Sequence, residues 1–302
     1  MYAQSPAIPH LSLAETDATL SAAARLVRQT GSYPRDRAAA VAGQSALLAG
    51  SLIGGVIVTA LLATFVHRAV GGVVFLAVCL GVALALLPSI ERRFFAMRCA
   101  LTFLITEALL RRGAIPQTGT AEAAQRFLAD RFGDLAGPLY DAYMNVRRTV
   151  GSFFRTFDRL DEVLPIDFGP ARSALGWLVD RVAPHIADLA LSYTVASNRA
   201  DYPEAADDAV ALVAQNPRAL LGTAVRAWLY ERIINSIVGA PVAWLVTWFL
   251  RTAFLEPISL TMLLIRFHMT IQGQAVDPTI RARLRQAQQA SDGAHGLASL
   301  FD

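Results

Sequence analysis

FLRTAFLEPISLTMLLIRFHMTI, residues Phe249–Ile271, is one of the most apolar parts of the chain, yet it holds Arg251, Glu256, Arg266 and His268. How these four side chains are accommodated decides the fold, because ionisable groups in a lipid-facing segment are costly and need a partner, an interface or a polar cavity. The interval from Glu256 to Arg266 is about 14 Å as helix, too short to cross a hydrocarbon core of about 30 Å. It crosses only with Glu256 at one interface and Arg266 snorkelling to the other.

The preceding run, Ile233–Leu250, is uncharged and long enough to span. Pro241 inside it predicts a kink, and Gly239, Ala243 and Thr247 form a small-residue stripe. Residues 233–271 therefore read as a membrane hairpin. Arg251–Glu256 is its external turn, and Pro257 restarts the helix at a favoured early position. In this arrangement Arg251, Glu256, Arg266 and His268 lie at interfaces. The alternative is a polar path, with Glu256 paired to Arg251 or Arg68 across the external face.

A second hairpin is expected nearer the N-terminus. Ala38–Val66 and Ala69–Ile90 are both uncharged and of spanning length, separated only by His67 and Arg68. Ala42, Ala46, Gly50 and Gly54 recur at i, i+4, as do Ala77, Gly81 and Ala85, and such stripes let helices approach closely in lipid. They would pack on each other within one chain, or Gly50 and Gly54 would form the seam of a homodimer.

Arginine placement gives the orientation. Arg25, Arg28, Arg35 and Arg37 precede the first run, and Arg92, Arg93 and Arg98 follow the second. Arg226 and Arg232 precede the third run, and Arg281, Arg283 and Arg285 follow the fourth. By the positive-inside rule both termini and the middle of the chain are cytoplasmic.

That middle, residues 91–232, reads as a helical bundle. Glu91–Gly113 continues from the second run, either along the membrane surface or into the bundle core. A short helix over 120–132 follows. A longer one carries Leu139, Tyr143, Val146, Val150, Phe153, Phe157, Leu160 and Leu164 at alternating spacings of four and three, the repeat of a bundle seam. After the turn at Pro165–Pro170, the same repeat returns in Leu175, Val179, Val182, Ile186, Leu189 and Tyr193, so an antiparallel helical hairpin is expected, kinked at Pro184. His185 has no ligand partner at metal spacing and reads as structural. Asp201–Pro203 and Asn216–Pro217 open two further helices. The second of these runs into Ile233 without a breaker, with Trp228 and Tyr230 at headgroup level.

The N-terminal segment 1–37 reads as an amphipathic helix opened by a capping box at Ser12–Glu15 and closed by Gly31. The tail 272–302 opens a short basic helix at Asp277–Pro278, suited to anionic headgroups, and becomes disordered from Ser291.

Composition agrees with membrane residence: 54% of residues are hydrophobic and 17% charged, a shift away from soluble domains in both respects. All 27 basic side chains are arginine, which removes Schiff-base and phosphate-loop lysine chemistry. Cys79 and Cys99 are too few for a disulfide framework. His10, His67, His185, His268 and His295 form no HExxH or CxxC-type motif, so no metal or other cofactor is expected. Arg147 and Arg148 lie among acidic residues with no basic stripe, which argues against nucleic acid. ADDAVALVAQNPRALLGTAV, residues Ala206–Val225, resembles the stretch that precedes a membrane helix in choline-transporter-like membrane proteins. No functional residue is carried across from that resemblance.

The expectation is an all-α, multi-pass membrane protein with about four spans, in hairpins 38–90 and 233–271 around the cytoplasmic helical domain 91–232. The leading functional expectation is a non-enzymatic scaffold at the plasma (inner) membrane. It would contact lipids and a protein partner or a second copy of itself, through the seam Tyr143, Val146, Val150, Phe153, Phe157 and Leu160. A transporter or channel subunit using Arg251, Glu256, Arg266 and His268 is the alternative, and a membrane enzyme acting on lipids is a third.

Overall fold

The computed structural model describes residues 20–65, 68–110, 121–135, 137–156, 172–199, 201–236 and 247–298. Every secondary-structure element among them is helical. In chain order they are α1 (Leu20–Gln29), α2 (Tyr33–Phe65), α3 (Arg68–Leu110), α4 (Ala121–Phe132), α5 (Pro138–Thr156), α6 (Arg172–Ala196), α7 (Tyr202–Gln215) and α8 (Pro217–Ser236). Thr247–Ile271 is then one continuous helical rod. Its residues Arg251–Leu255 are wound as a π-turn, and the remainder is α9 (Glu256–Ile271). The chain closes with α10 (Pro278–Ala298). Residues 1–19, the turn 165–170, Phe157, Leu160, Leu164, His10, His67, Gly239, Pro241 and Ala243 lie outside the described residues.

Local chemistry sets several boundaries where the sequence placed them. Gly31 takes φ 64° between α1 and α2, a left-handed conformation that a Cβ would oppose. Asp201 caps α7 by accepting from the Glu204 N–H, and Pro203 occupies the first turn. Asn216 ends α7 and Pro217 begins α8.

One apolar core holds the body together. The second half of α3 (Phe95, Leu101, Leu104, Ile105), α6 (Ile186, Leu189, Leu191), α7 (Val210, Leu212) and α9 (Leu263, Leu264, Phe267) are buried in it. α1, α4, α5, α8 and α10 pack around these. At 43 residues, α3 is roughly 65 Å long. Its first half pairs with α2 as a hairpin and its second half is a core helix, so 91–110 runs down into the body rather than along a surface.

Two expectations change here. The reversal at Arg251–Glu256 is absent: the Glu256 N–H bonds back to the Arg251 carbonyl, and the rod continues through the π-turn. A π-turn absorbs the hydrogen bond that Pro257 cannot donate, so the proline does not break the helix. The tail is also longer and more engaged than a short surface helix. α10 extends through 291–298, buries Leu284, and pairs Arg281 with buried Asp208 (3.0 Å) and Arg285 with Asp207 (3.7 Å) on α7.

Among the described residues, two stretches are long and apolar enough to cross a membrane. Tyr33–Leu61 has mean hydropathy 1.8 and is 19% buried, and Thr247–Ile271 has mean hydropathy 1.4 and is 56% buried. On α2 the buried residues are Tyr33, Arg37, Val41, Gln44 and Gly55. Ala42, Ala46, Gly50 and Gly54 occupy the opposite face and are exposed, and Gly81 on α3 is exposed too. A Cβ added at Gly50, Gly54 or Gly81 would meet nothing within 4 Å, so these small residues do not form the intrachain seam.

Candidate functional site

The π-turn sets up the centre of the molecule. The Glu256 N–H is committed to Arg251, and Pro257 has no N–H, so the Thr252 carbonyl lacks a helical donor. Arg37 of α2 supplies one, its Nε donating to that carbonyl at 2.7 Å. The same guanidinium donates to Tyr33 Oη at 2.9 Å and pairs with Glu256 Oε2 at 2.9 Å. It also lies 5.7 Å from the centroid of the Phe94 ring on α3. Arg37 is 1% exposed, so a residue read as a flanking topological charge is instead a buried structural cation.

The other carboxylate oxygen, Glu256 Oε1, accepts from Arg98 of α3. Glu256 thus ties α2, through Arg37, and the core half of α3, through Arg98, to the start of α9. Arg98 also approaches Asp188 of α6 at 3.7 Å and donates to Tyr143 Oη of α5 at 3.4 Å. The Tyr143 hydroxyl lies 3.0 Å from Asp188 Oδ1 and 3.1 Å from the Pro184 carbonyl oxygen. Two arginines and two carboxylates balance, which lets charge sit inside the protein at all.

Burial pushes the Asp188 carboxyl up from its usual range, and Arg98 pulls against that. Burial, then the neighbouring Asp188, pushes the Tyr143 phenol well up. One turn from Asp188, His185 is buried and held by that burial at about 4, so it is neutral at pH 7.

Beside this quartet is a pocket of about 440 Å³ between α3, α5 and the π-turn. Its inner end is Arg98, Glu256, Tyr143 and Phe95; its outer end is Ile90, Glu91, Arg147 and Arg251. Aromatic pairs line it: Phe94 with Trp248 at 6.2 Å, and Phe95 with Tyr140 at 5.1 Å and with Tyr143 at 4.8 Å.

Of the residues singled out in the sequence, Arg251 and Glu256 meet at this pocket. Arg266 is partly buried further along α9. His268, expected near headgroups, is 1% exposed in the body, with Nε2 2.7 Å from Ser192 Oγ. Ser192 in turn lies 2.6 Å from Thr106 Oγ1. A histidine beside a serine suggests nucleophilic chemistry, but all three side chains are enclosed and no substrate reaches them. Tyr143, Val146, Val150 and Phe153 are buried where α5 packs into the body. This described part of the seam is covered by this chain's own helices, and Phe157 and Leu160 lie outside the described residues.

Sequence reading missed Arg37, Asp188 and Asp208 as buried charges and Arg98 as the part-buried partner of Asp188. Asp188 had a signal: a lone carboxylate inside the apolar run Ile186–Leu191 needs a cation. Arg37 and Arg98 had none, since their partner Glu256 is more than a hundred residues away. Among the described residues, no group of histidine, cysteine and acidic side chains is arranged to hold a metal. No family model matches this chain, and neither a curated protein nor a solved structure does.

Proposed function

We propose that this chain is a membrane-anchored, non-enzymatic helical protein of the plasma (inner) membrane. The hairpin of α2 and the first half of α3 sits in the bilayer, and the helical body organises a protein partner or a second copy on the cytoplasmic side. The observation that carries the reading is the outward face of the hairpin. Leu47 (61% exposed), Ile53 (61%), Val56, Ile57, Leu61 and Val73 (70%) point away from the protein, within the uncharged runs Ala38–Val66 and Ala69–Ile90. An aliphatic surface this long is unstable in water and normal in lipid. Arginines on both sides of the hairpin support a cytoplasmic body.

The test is alkaline carbonate extraction of native membranes, then mild-detergent purification with mass spectrometry of what co-purifies. Retention in the membrane with a stoichiometric protein partner is the expected result. Release by carbonate removes the anchoring.

One observation favours transport as a second reading: a charged quartet lies at the root of the hairpin, next to a π-turn, and such turns recur at functional sites. Liposome flux with Glu256→Gln separates the two. A folded variant with unchanged flux excludes Glu256 as a transport group.

A further inference from the structure

The hold of α10 on the body differs in kind from that of α9. α9 buries most of its side chains. α10 packs on α5 and α7, yet among its described side chains Leu284 alone is buried, with Ile280 partly buried near it. One aliphatic side chain contributes about 1.5–3 kcal/mol on burial, which is little to hold a helix of 21 residues.

The rest of the attachment is polar and lies on one stripe. Arg281, Arg285 and Gln288 recur at i, i+4 and i+7 and meet an acidic patch on α7. Arg281 pairs with Asp208 at 3.0 Å and with Glu204 at 3.5 Å. Arg285 pairs with Asp207 at 3.7 Å, and Gln288 donates to the same carboxylate at 2.7 Å. Glu204 is 56% exposed and Arg285 54%, so their pairs contribute up to about 1 kcal/mol each and weaken in salt. Asp208 is the buried member of the patch, and it does not rely on α10 alone. Arg199 pairs with its other oxygen at 2.7 Å. When Arg281 leaves, that carboxylate keeps a cation, so the large cost of stranding a buried charge is avoided.

The tether is short and loosely pinned. Residues 272–277 join α9 to α10, about 20 Å when extended. Their fixed point is an exposed amide pair, Asn216 with Gln274 at 2.6 and 3.2 Å, which water replaces at little cost.

We propose that α10 is an exchangeable arm, and that the face of α5 and α7 beneath it docks the α10 of a second copy in a dimer. Charge selects the occupant. The patch of Glu204, Asp207 and Asp208 takes a helix with arginines one turn apart beside a leucine, as Arg281, Leu284 and Arg285 provide. Exchange between two copies recreates each of these contacts in trans, which makes it a low-cost route to a dimer. This names the partner in the function proposed above and rests on the second copy in that reading, not on the anchoring.

The experiment uses two differently tagged full-length copies, one with Asp207→Arg and the other with Arg285→Asp, expressed together and purified through one tag in mild detergent. Within each copy the arm now meets a like charge. In a mixed dimer one face regains the native pair and the other holds its reverse. Mixed dimers should exceed the statistical ratio about fivefold, the equivalent of about 1 kcal/mol. A chain carrying both substitutions restores the pair in cis and should associate as the parent does. Arg283→Asp in place of Arg285→Asp, at an exposed position of the same helix, should give no enrichment.

Monomers throughout, or dimers indifferent to the charge pattern, overturn the proposal; the second result moves the contact elsewhere, as to Gly50 and Gly54. If either variant fails to fold, two tagged parental populations decide. They should exchange partners faster in about 1 M salt, where the Debye length is about 3 Å, than in about 0.1 M, and equal rates overturn the arm. A synthetic peptide of residues 277–298 that binds the chain while copies never mix gives the face to another protein's helix and overturns the second copy. Release of the chain from membranes by carbonate removes the anchoring and leaves the mixing ratio to decide the arm alone.

Discussion

The α2 stretch and the α9 rod have nearly the same hydropathy, 1.8 against 1.4, and opposite surroundings: 19% of one is buried in the protein and 56% of the other. The difference lies in their charges. The charges of the α2 stretch, Arg35, Asp36 and Arg37, are confined to its start; from Ala38 to Leu61 it has none, and Leu47, Ile53, Val56 and Ile57 face outward. Thr247–Ile271 has four ionisable groups, and the two that are most enclosed find partners on other helices: Glu256 on α2 and α3, His268 on α6. Apolar content says only that a helix avoids water. Whether lipid or protein replaces the water follows from whether its polar groups have somewhere to go.

The strongest way to break this contrast is Glu256→Ala. It leaves Arg37 buried without its carboxylate and removes one of the carboxylates that Arg98 meets, so a loss of about 3–5 kcal/mol is expected. Thermal unfolding in a single mild detergent reads it, and hydrogen exchange should show the earliest opening at the π-turn and the root of α2. A variant as stable as the parent would mean the quartet does not hold the hairpin to the body. Next in size is a matched pair of truncations. Leu264→Ala in α9 opens a cavity in a fully buried core and should lose about 2–5 kcal/mol. Ile53→Ala removes an outward side chain and should stay within about 0.5 kcal/mol in detergent. Similar losses at the two sites would show that the outer face of α2 is packed against something, and the homodimer seam at Gly50 and Gly54 would be the first place to look.

How much of this was legible follows the range of the physics involved. Gly31, Asp201 and Asn216–Pro217 act within a turn of themselves, and they marked helix ends from sequence alone. The uncharged runs and the burial of the Tyr143–Phe153 seam are periodic signals over a few turns, and these too were readable. The π-turn was not, because a proline after Glu256 fits a helix start equally well. The body's ion pairs were not either. Arg37 and Arg98 stand beside membrane runs and look like topological charges until a carboxylate far along the chain is brought between them. Asp208 stands in sequence beside Asp207 and close to Glu204, with nothing local to mark it as buried. Its burial depends on α10 returning with Arg281, and on Arg199 at the other side.

The pH dependence sharpens the body's side of the contrast. His185 is held neutral by burial at about 4, against about 6.5 in an unfolded chain. A depressed histidine means the unfolded state binds more protons between these values, so stability is present above about pH 6.5 and is lost as pH falls toward 4. The window spans a loss of up to about 3 kcal/mol. Asp188 has the opposite sign: its raised carboxyl takes up a proton more readily in the folded state, which offsets part of the loss at the acid end. Melting midpoints from pH 7 to pH 4 should fall for the parent and fall less steeply for His185→Phe, with buried His268, likewise held at about 4, supplying slope that remains. An unchanged slope would mean that His185 is protonated inside the fold with a partner near Asp188.

The smallest expected effect probes the enclosed hydroxyl chain, where α9 behaves least like a membrane span. Thr106 donates to the Thr102 carbonyl at 2.6 Å, so its oxygen can only accept from Ser192. Ser192 has one proton; if it goes to Thr106, His268 must donate from Nε2. The count assigns the Nε2–H tautomer and predicts unequal losses along the chain. Ser192→Ala strands a buried donor and should lose about 1–3 kcal/mol. Thr106→Val keeps its shape and removes only an acceptor; the Ser192 hydroxyl can turn to a carbonyl one turn back in α6, so the loss should be under about 1 kcal/mol. Nitrogen-15 spectra of labelled histidine would show a protonated Nε2 in the parent. A protonated Nδ1, or equal losses for the two variants, would reverse the donor order. The serine would then donate to the histidine, and the chain of hydroxyls would begin at α6 rather than at α9.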